Sequence, residues 1–184
     1  KLLHSLEISP YEASVIWCSG ATEALNLAIF SLANNPKITQ TAYDPTAHPA
    51  LLKPLLKAGK ENKLQLQRLK VDKTGKLLLP EKDIDQIELF CACHVNNETG
   101  QKHNLSELRK LFSNRCIFCI DAAQSLGKAF LPWKFAKIDL MALSARKIGA
   151  PPSVGALIVR KRVKLQPQIL GGGQQNNLRS GTLN

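Results

Sequence analysis

At 184 residues the chain has the length of one domain, and with 44% of its residues apolar it can bury a real core. Lys and Arg number 25 against 14 acids, giving a net charge of +11. That balance admits nucleic acid, an acidic partner or anionic ligands, but most of the excess is spread out, and the densest cluster, Arg160, Lys161, Arg162 and Lys164, has no interleaved aromatics, which argues against nucleic acid.

No signal peptide and no apolar run of membrane-spanning length is present, so the composition implies a cytoplasmic protein with no membrane partner. Five cysteines is an odd count, and Cys91, Cys93, Cys116 and Cys119 fall inside strand-like runs. This reads as buried thiols in a reducing compartment. The Cys116-Ile-Phe-Cys119 spacing matches a redox or zinc motif, but it lies within an apolar strand and has no second pair. No metal site is assigned.

In chain order, residues 1–8 read as the amphipathic tail of a helix, and residues 15–18 as a short strand. Ser19-Gly20-Ala21-Thr22-Glu23 follows and leads into a helix over 24–32. A strand, a small-residue turn and a helix start offer backbone N–H groups and the Thr22 hydroxyl to an anion. By itself the pattern favours an ordinary N-cap at Thr22 over a phosphate ligand. A second strand over 38–41 and a turn-rich segment lead to the helical face of Leu51, Leu52, Leu55 and Leu56, which puts His48 in a strand-to-helix loop. Residues 64–69 alternate as a half-buried strand does, 72–75 form a turn, and 80–87 resemble a short helix.

Residues 89–95 form a buried strand ending in Asn96-Asn97-Glu98-Thr99-Gly100, a polar run that is either a turn or a site. Asn104 is placed to cap a helix over 105–112, with Glu107 at the capping-box position. Two apolar strands follow, 116–120 and 138–143, the first leading into Asp121 and the second into Ser144, Arg146 and Lys147. A last strand, 154–159, comes after a proline-rich segment that cannot continue a helix. Gly171-Gly172-Gly173 and Arg179-Ser180-Gly181-Thr182 close the chain, with glycines dense enough for close backbone approach or for a flexible tail. Alternating strands and helices imply an α/β fold with a doubly wound, mostly parallel sheet.

Open sheets of this kind bind ligands at the carboxyl ends of their strands. There a lysine among apolar walls can act as a neutral amine and form an imine with a carbonyl, and a nearby carboxylate can hold a proton on a pyridine nitrogen. These are two requirements of pyridoxal 5'-phosphate (PLP) chemistry. Lys147 supplies the amine and Asp121 the acid. Thr22, Ser144, Arg146 and the turn amides after Ser19 suit a phosphate, His48 suits stacking on the ring, and Asn97 and Gln124 suit its phenolic oxygen.

Ser-Gly-Ala-Thr-Glu at 19–23, His-Val-Asn-Asn-Glu-Thr-Gly at 94–100, Asp-Ala-Ala-Gln-Ser-Leu-Gly-Lys at 121–128, Asp-Leu-Met-Ala-Leu-Ser-Ala-Arg-Lys at 139–147, and Gly-Gly-Gly-Gln with Arg-Ser-Gly-Thr-Leu at 171–183 together resemble the cysteine desulfurases. These belong to the class V aminotransferase group of fold-type I PLP enzymes. The likeness runs in order along nearly all of the chain. It implies the three-layer α/β/α large domain of that fold, with Lys147 as the lysine that carries the cofactor, Asp121 as the pyridinium partner and His48 as the stacking residue. Ala21, Thr22, Ser144 and Arg146 would line the phosphate, and Asn97 and Gln124 would face the ring oxygen. Thr182 would reach the cofactor of the other subunit of a homodimer. The implied reaction converts L-cysteine to L-alanine and passes sulfur as a persulfide to an acceptor protein, such as an iron–sulfur scaffold, or to thio-nucleoside assembly. Lys147 and His48 would be its catalytic proton carriers.

Two local departures accompany the resemblance. Arg146 stands where the family usually has histidine, and Gly149-Ala150-Pro151-Pro152-Ser153 replaces the usual sequence after the lysine. Residues 1–184 would be a single large domain, without counterparts of the family's first segment or of the C-terminal small domain that carries the persulfide-forming cysteine. On this reading the piece alone is inactive. Two alternatives stand beside it: another class V enzyme, such as a selenocysteine lyase or an aminotransferase, and a degenerate domain that binds a partner through its basic face.

Overall fold

The computed structural model describes residues 1–61, 63–80 and 83–182. A short helix α1 (Leu2–Ser5) precedes strand β1 (Ala13–Cys18) and helix α2 (Ala21–Ala33). Strand β2 (Gln40–Tyr43), helix α3 (Pro49–Lys60) and strand β3 (Gln65–Arg68) follow, and then a hairpin of β4 (Lys70–Val71) and β5 (Leu77–Leu78). Strand β6 (Leu89–Cys93), helix α4 (Leu105–Leu111), β7 (Ile117–Asp121), β8 (Leu140–Ser144) and β9 (Gly155–Arg160) complete the framework. The turn expected at 72–75 joins β4 to β5, where the Asp72 carboxylate accepts from the Thr74 N–H at 2.8 Å. Of the helix expected over 80–87, Ile84–Gln86 form one 3₁₀ turn, and residues 81 and 82 lie outside the described residues.

The seven-stranded sheet has the order β1-β9-β8-β7-β6-β2-β3. β3, β2, β6, β7 and β8 pair in parallel, whereas β9 is antiparallel to both β8 and β1. The sheet is therefore mostly parallel but mixed. The short link from β8 to β9 cannot make the long crossover that a parallel neighbour needs, so the chain turns back on itself.

Period-2 alternation divides the central strands between two cores. Cys91, Cys93, Cys119, Leu140, Ala142 and Leu157 face α2 and α3, together with Leu25, Ile29, Leu51 and Leu55. Phe90, Phe118, Ile120, Met141, Leu143 and Ile158 face the other layer, with Ile8, Leu105, Phe112 and Trp133. Every residue of β6 is buried. Covering both faces with apolar layers is what makes these strands read as continuous apolar runs, and the result is a three-layer α/β/α arrangement.

Local chemistry shifts several boundaries. α2 begins at Ala21, so its N-cap is Gly20, and Thr22 sits inside the first turn rather than capping it. Asn104 caps α4 by accepting from the Glu107 N–H at 3.2 Å. The reciprocal half of a capping box is not made, because the Glu107 carboxylate pairs with Lys110 at 2.7 Å. The glycine-rich terminal segment docks on the protein. Gln175 accepts from the Trp17 N–H at 2.6 Å and donates to the Trp17 carbonyl at 2.9 Å, occupying backbone groups on the outer edge of β1. Arg179 pairs with Glu23 of α2 at 2.8 Å. Leu183 lies outside the described residues. Among the described residues, no helix is long and apolar enough to cross a membrane.

Candidate functional site

Because β6, β7 and β8 are parallel, Cys93, Asp121 and Ser144 end at the same edge of the sheet. β1 runs in the same direction, since both it and β8 are antiparallel to β9, and its last residue Cys18 pairs with the same Gly155 that pairs with Ser144. This register brings the Ser19–Thr22 turn beside the end of β8. The contact is close: a Cβ added at Gly155 would lie 2.4 Å from the Cα of Gly20. Only a residue without a side chain lets the two backbones meet this way.

A cleft of about 330 Å³ opens at this edge. Gly20, Ala21 and Thr22 form one wall, and Asp121, Ala123 and Gln124 another; His48, Asn97, Ser144 and Lys147 complete the polar lining, with Cys93, Val95 and Ala50 between them. Eight of the ten residues singled out from the sequence thus share one cavity. Arg146 and Thr182 are exposed and do not line it. Arg146 and Lys147 are neighbours in the 3₁₀ turn Ala145–Ile148, where successive side chains project about 120° apart. With Lys147 turned to the cleft, Arg146 points elsewhere.

Each group has a definite local environment. Gly20 gives α2 no side-chain cap, and among the described residues the first-turn N–H groups of Ala21 and Thr22 make no hydrogen bond, leaving them for an anion at the positive end of the helix dipole. His48 is the N-cap of α3, and its Nδ1 accepts from the Ala50 N–H at 3.1 Å. This bond fixes the ring and puts the neutral imidazole's proton on Nε2. Asp121 is 7% exposed, and its Oδ1 accepts from the Ala123 N–H at 2.9 Å. Burial pushes its carboxyl above the usual carboxylate range, against the Ala123 N–H and the nearby His48 and Lys147, which pull it down. Lys147 itself is exposed at the rim and not enclosed by apolar walls.

The loops carrying Asn97 and Gln124 are tied together beneath the cleft. His94 Nδ1 and Ser125 Oγ are 2.9 Å apart and both are buried, and burial lowers the His94 pKa to about 4. The sequence reading missed this pair, as it missed Cys93, Val95, Ala50 and Ala123 in the lining. It also missed Asp44, Cys93 and His103, three buried donors gathered beside the cleft. They come from three separate segments with no ligand spacing to announce them. Gly155 did carry a signal, since a lone glycine opening a strand often marks close backbone approach.

The donor set fits a phosphorylated pyridine aldehyde. A helix start free of side-chain caps and two hydroxyls suit the phosphate, a buried carboxylate suits a ring nitrogen, and a primary amine stands at the mouth. The pattern described as "Aminotransferase class-V" matches residues 7–183. A cysteine desulfurase IscS of Archaeoglobus fulgidus is 33% identical over 175 residues, covering 92% of this chain and 46% of its own length. A cysteine desulfurase IscS of Vibrio cholerae is 34% identical over 177 residues, covering 92% and 44%. The chain thus spans less than half the length of these curated relatives. Among solved structures, a NifS-like protein superposes with a TM-score of 0.91 at 27% identity, over all of this chain and 52% of its own.

Proposed function

From the premise that the chain belongs to the class-V aminotransferase family, whose members depend on pyridoxal 5'-phosphate, we propose that it is the cofactor-binding large domain of a cysteine desulfurase. The whole protein would take L-cysteine, release L-alanine and pass the sulfur on as a persulfide. Supporting the reading most directly is the meeting of Thr22, His48, Asp121, Gln124, Ser144 and Lys147 in one cleft, from segments up to 125 residues apart in the chain.

When bound, PLP supplies an electron sink that eases the breaking of a bond at the substrate α-carbon. The chain's own groups orient and tune it. The first-turn amides of α2, with the Thr22 and Ser144 hydroxyls, hold the phosphate. The Asp121 carboxylate would accept a hydrogen bond from the protonated ring nitrogen and keep the proton there, a cationic partner that offsets the cost of its burial. His48 would stack on the ring; with Nδ1 held by the Ala50 N–H, its Nε2 is the position that would exchange protons. Asn97 and Gln124, both in the cleft lining, would hydrogen-bond the ring oxygen. Lys147, whose amine faces the cleft, would be the group that holds the cofactor covalently and would carry protons at the substrate carbon.

All five cysteines are free and buried, so none is a mobile surface thiol. The sulfur-accepting cysteine of the working enzyme would therefore lie outside this chain. Five unpaired thiols also support a cytoplasmic, reducing location. Thr182, exposed and away from its own cleft, is free to contribute to the cleft of a second copy in a homodimer. A sulfur-acceptor protein would take the persulfide.

Incubating the chain with PLP, reducing with borohydride and mapping peptides by mass should place the adduct on Lys147, with none formed by Lys147→Ala. An adduct scattered over surface lysines would refute the cofactor site and favour a non-catalytic binding domain. Alanine production from cysteine by the full-length gene product tests the reaction. A full-length protein that labels Lys147 but forms no alanine would keep the cofactor and lose the desulfurase assignment.

A further inference from the structure

Next to the cleft, Asp44, Cys93 and His103 converge from three parts of the fold, all at or below 4% exposure. Asp44 directly follows β2, Cys93 ends β6, and His103 lies beside the bridge between Val95 and Lys102. Backbone bonds anchor the first and last of them: Asp44 N–H donates to the Cys91 carbonyl at 2.9 Å, and His103 N–H to the His94 carbonyl at 2.9 Å.

The donor atoms face one another. Cys93 Sγ is 3.2 Å from Asp44 Oδ2, and His103 Nε2 is 3.5 Å from the same oxygen, with all three donors within 4.8 Å of each other. Bond lengths of tetrahedral zinc, about 2.0–2.3 Å, place neighbouring donor atoms roughly 3.4–3.6 Å apart. The 3.2 and 3.5 Å separations from Asp44 Oδ2 lie within a few tenths of an ångström of that spacing. His103 Nε2 is buried and makes no hydrogen bond among the described residues, although it points at this cluster. A buried ring nitrogen whose facing acceptor is Asp44 Oδ2, at a distance too long for a good hydrogen bond, carries a cost that a bound ion between them removes.

The surroundings favour a ligand arrangement. Asp44 Oδ1 accepts from the Thr46 N–H at 2.8 Å and the Thr46 hydroxyl at 2.7 Å, which fixes the carboxylate with Oδ2 toward the cysteine. The Thr46 carbonyl is held in turn by the Asn96 amide at 2.8 Å. Outer-sphere bonds of this kind orient metal-binding carboxylates. Charge also closes: an aspartate, a thiolate and a neutral imidazole carry −2 together, which a divalent cation cancels inside a dry site.

We propose that Asp44, Cys93 and His103 form a binding site for a divalent borderline-soft cation, zinc by its oxygen, sulfur and nitrogen donors. Binding replaces the thiol proton of Cys93 with a metal–sulfur bond and releases that proton to solvent, with no change of oxidation state. Three protein donors leave one coordination position for water. Because Cys93 also lines the cleft, the ion would lie against its wall. The site stands on the fold alone and does not depend on the desulfurase reading.

The test uses the full chain, stripped with chelator, dialysed and titrated with Co²⁺ and then Zn²⁺. One Co²⁺ per chain with a sulfur-to-cobalt charge-transfer band, bleached by one equivalent of Zn²⁺, is expected, with one proton released per ion. Cys93→Ser should abolish the band, and His103→Gln should weaken Zn²⁺ binding at least 100-fold. Absence of the band in the unmutated protein overturns the proposal, and so does a band that survives in Cys93→Ser. Should either variant fail to fold, X-ray absorption of the zinc-loaded unmutated chain decides: one sulfur among nitrogen and oxygen donors supports the site, and any other sulfur count overturns it.

Discussion

Gly155 and Gly20 meet backbone to backbone, so closely that a Cβ on Gly155 would come within 2.4 Å of the Gly20 Cα. This contact connects the start of β9 to the turn that presents the α2 amides to the cleft. Gly155→Ala must push the turn away or bend the strand, at a cost of about 1–3 kcal/mol, typical of overpacking. Denaturant unfolding should show that loss, and PLP affinity should fall with it. An alanine variant with an unchanged midpoint and unchanged affinity would show that the contact does not position the turn.

Asp121 pulls stability and binding in opposite directions. Burial raises its folded pKa above the unfolded value, so the native state holds the proton more tightly. Stability therefore falls as pH rises through the unfolded and then the folded pKa, and the penalty is fully present above both. Without cofactor, Asp121→Asn should melt higher than the unmutated chain at neutral pH and should lose this slope. With PLP the order should reverse, because loss of a charge-assisted hydrogen bond weakens binding by about 10–100-fold. Thermal melts with and without PLP read both arms.

The Glu23–Arg179 pair holds the terminal segment to α2. Burial alone would raise the Glu23 carboxyl, but the Arg179 guanidinium and the Ser19 N–H outweigh it and hold its pKa below the ordinary glutamate value. A depressed folded pKa means that the contribution is present above the unfolded pKa and is lost as pH falls through the folded one. Glu23→Gln should cost about 1 kcal/mol at neutral pH and nothing at the acid end. Urea unfolding at several pH values measures this. An equal loss at every pH would assign Glu23 a purely packing role.

Buried thiols should be slow to react. Burial pushes the Cys18 and Cys116 thiols up to about 12 and raises Cys91 and Cys93 as well. At mildly alkaline pH the thiolate fraction of a group near 12 is on the order of 1000-fold below that of a free cysteine. Iodoacetamide should therefore leave Cys18, Cys91, Cys93 and Cys116 unmodified in the native chain and alkylate all five cysteines in denaturant, read by mass. Rapid native labelling of Cys93 would mean that the strand end opens to solvent.

Much of the cleft was legible because its residues belong to short local patterns. Asp121 and Ser144 end apolar strands and the 19–23 turn opens a helix, and an α/β alternation sends such ends to one edge. Boundaries moved where side chains intervened. β8 begins at Leu140 rather than at residue 138, because Ile138 N–H bonds to the Trp133 carbonyl and the buried Asp139 carboxylate is bound by Arg162 at 2.7 Å. His48 read as a loop residue, yet its Nδ1 caps α3, a role invisible until the helix start is fixed.

By itself the sequence determined most of the sheet strands and the main helices, the α/β class and the polar groups that stand at strand ends, since each follows from the spacing of apolar residues and from turn chemistry within a few residues. Only the tertiary structure decided that β9 runs against its neighbours, that Gly155 admits Gly20, that Arg146 turns from the cleft while Lys147 faces it, and that Asp44, Cys93 and His103 come together. Those outcomes depend on pairing between segments distant in the chain, where register and direction are set by how whole faces bury against each other. No local pattern carries that information.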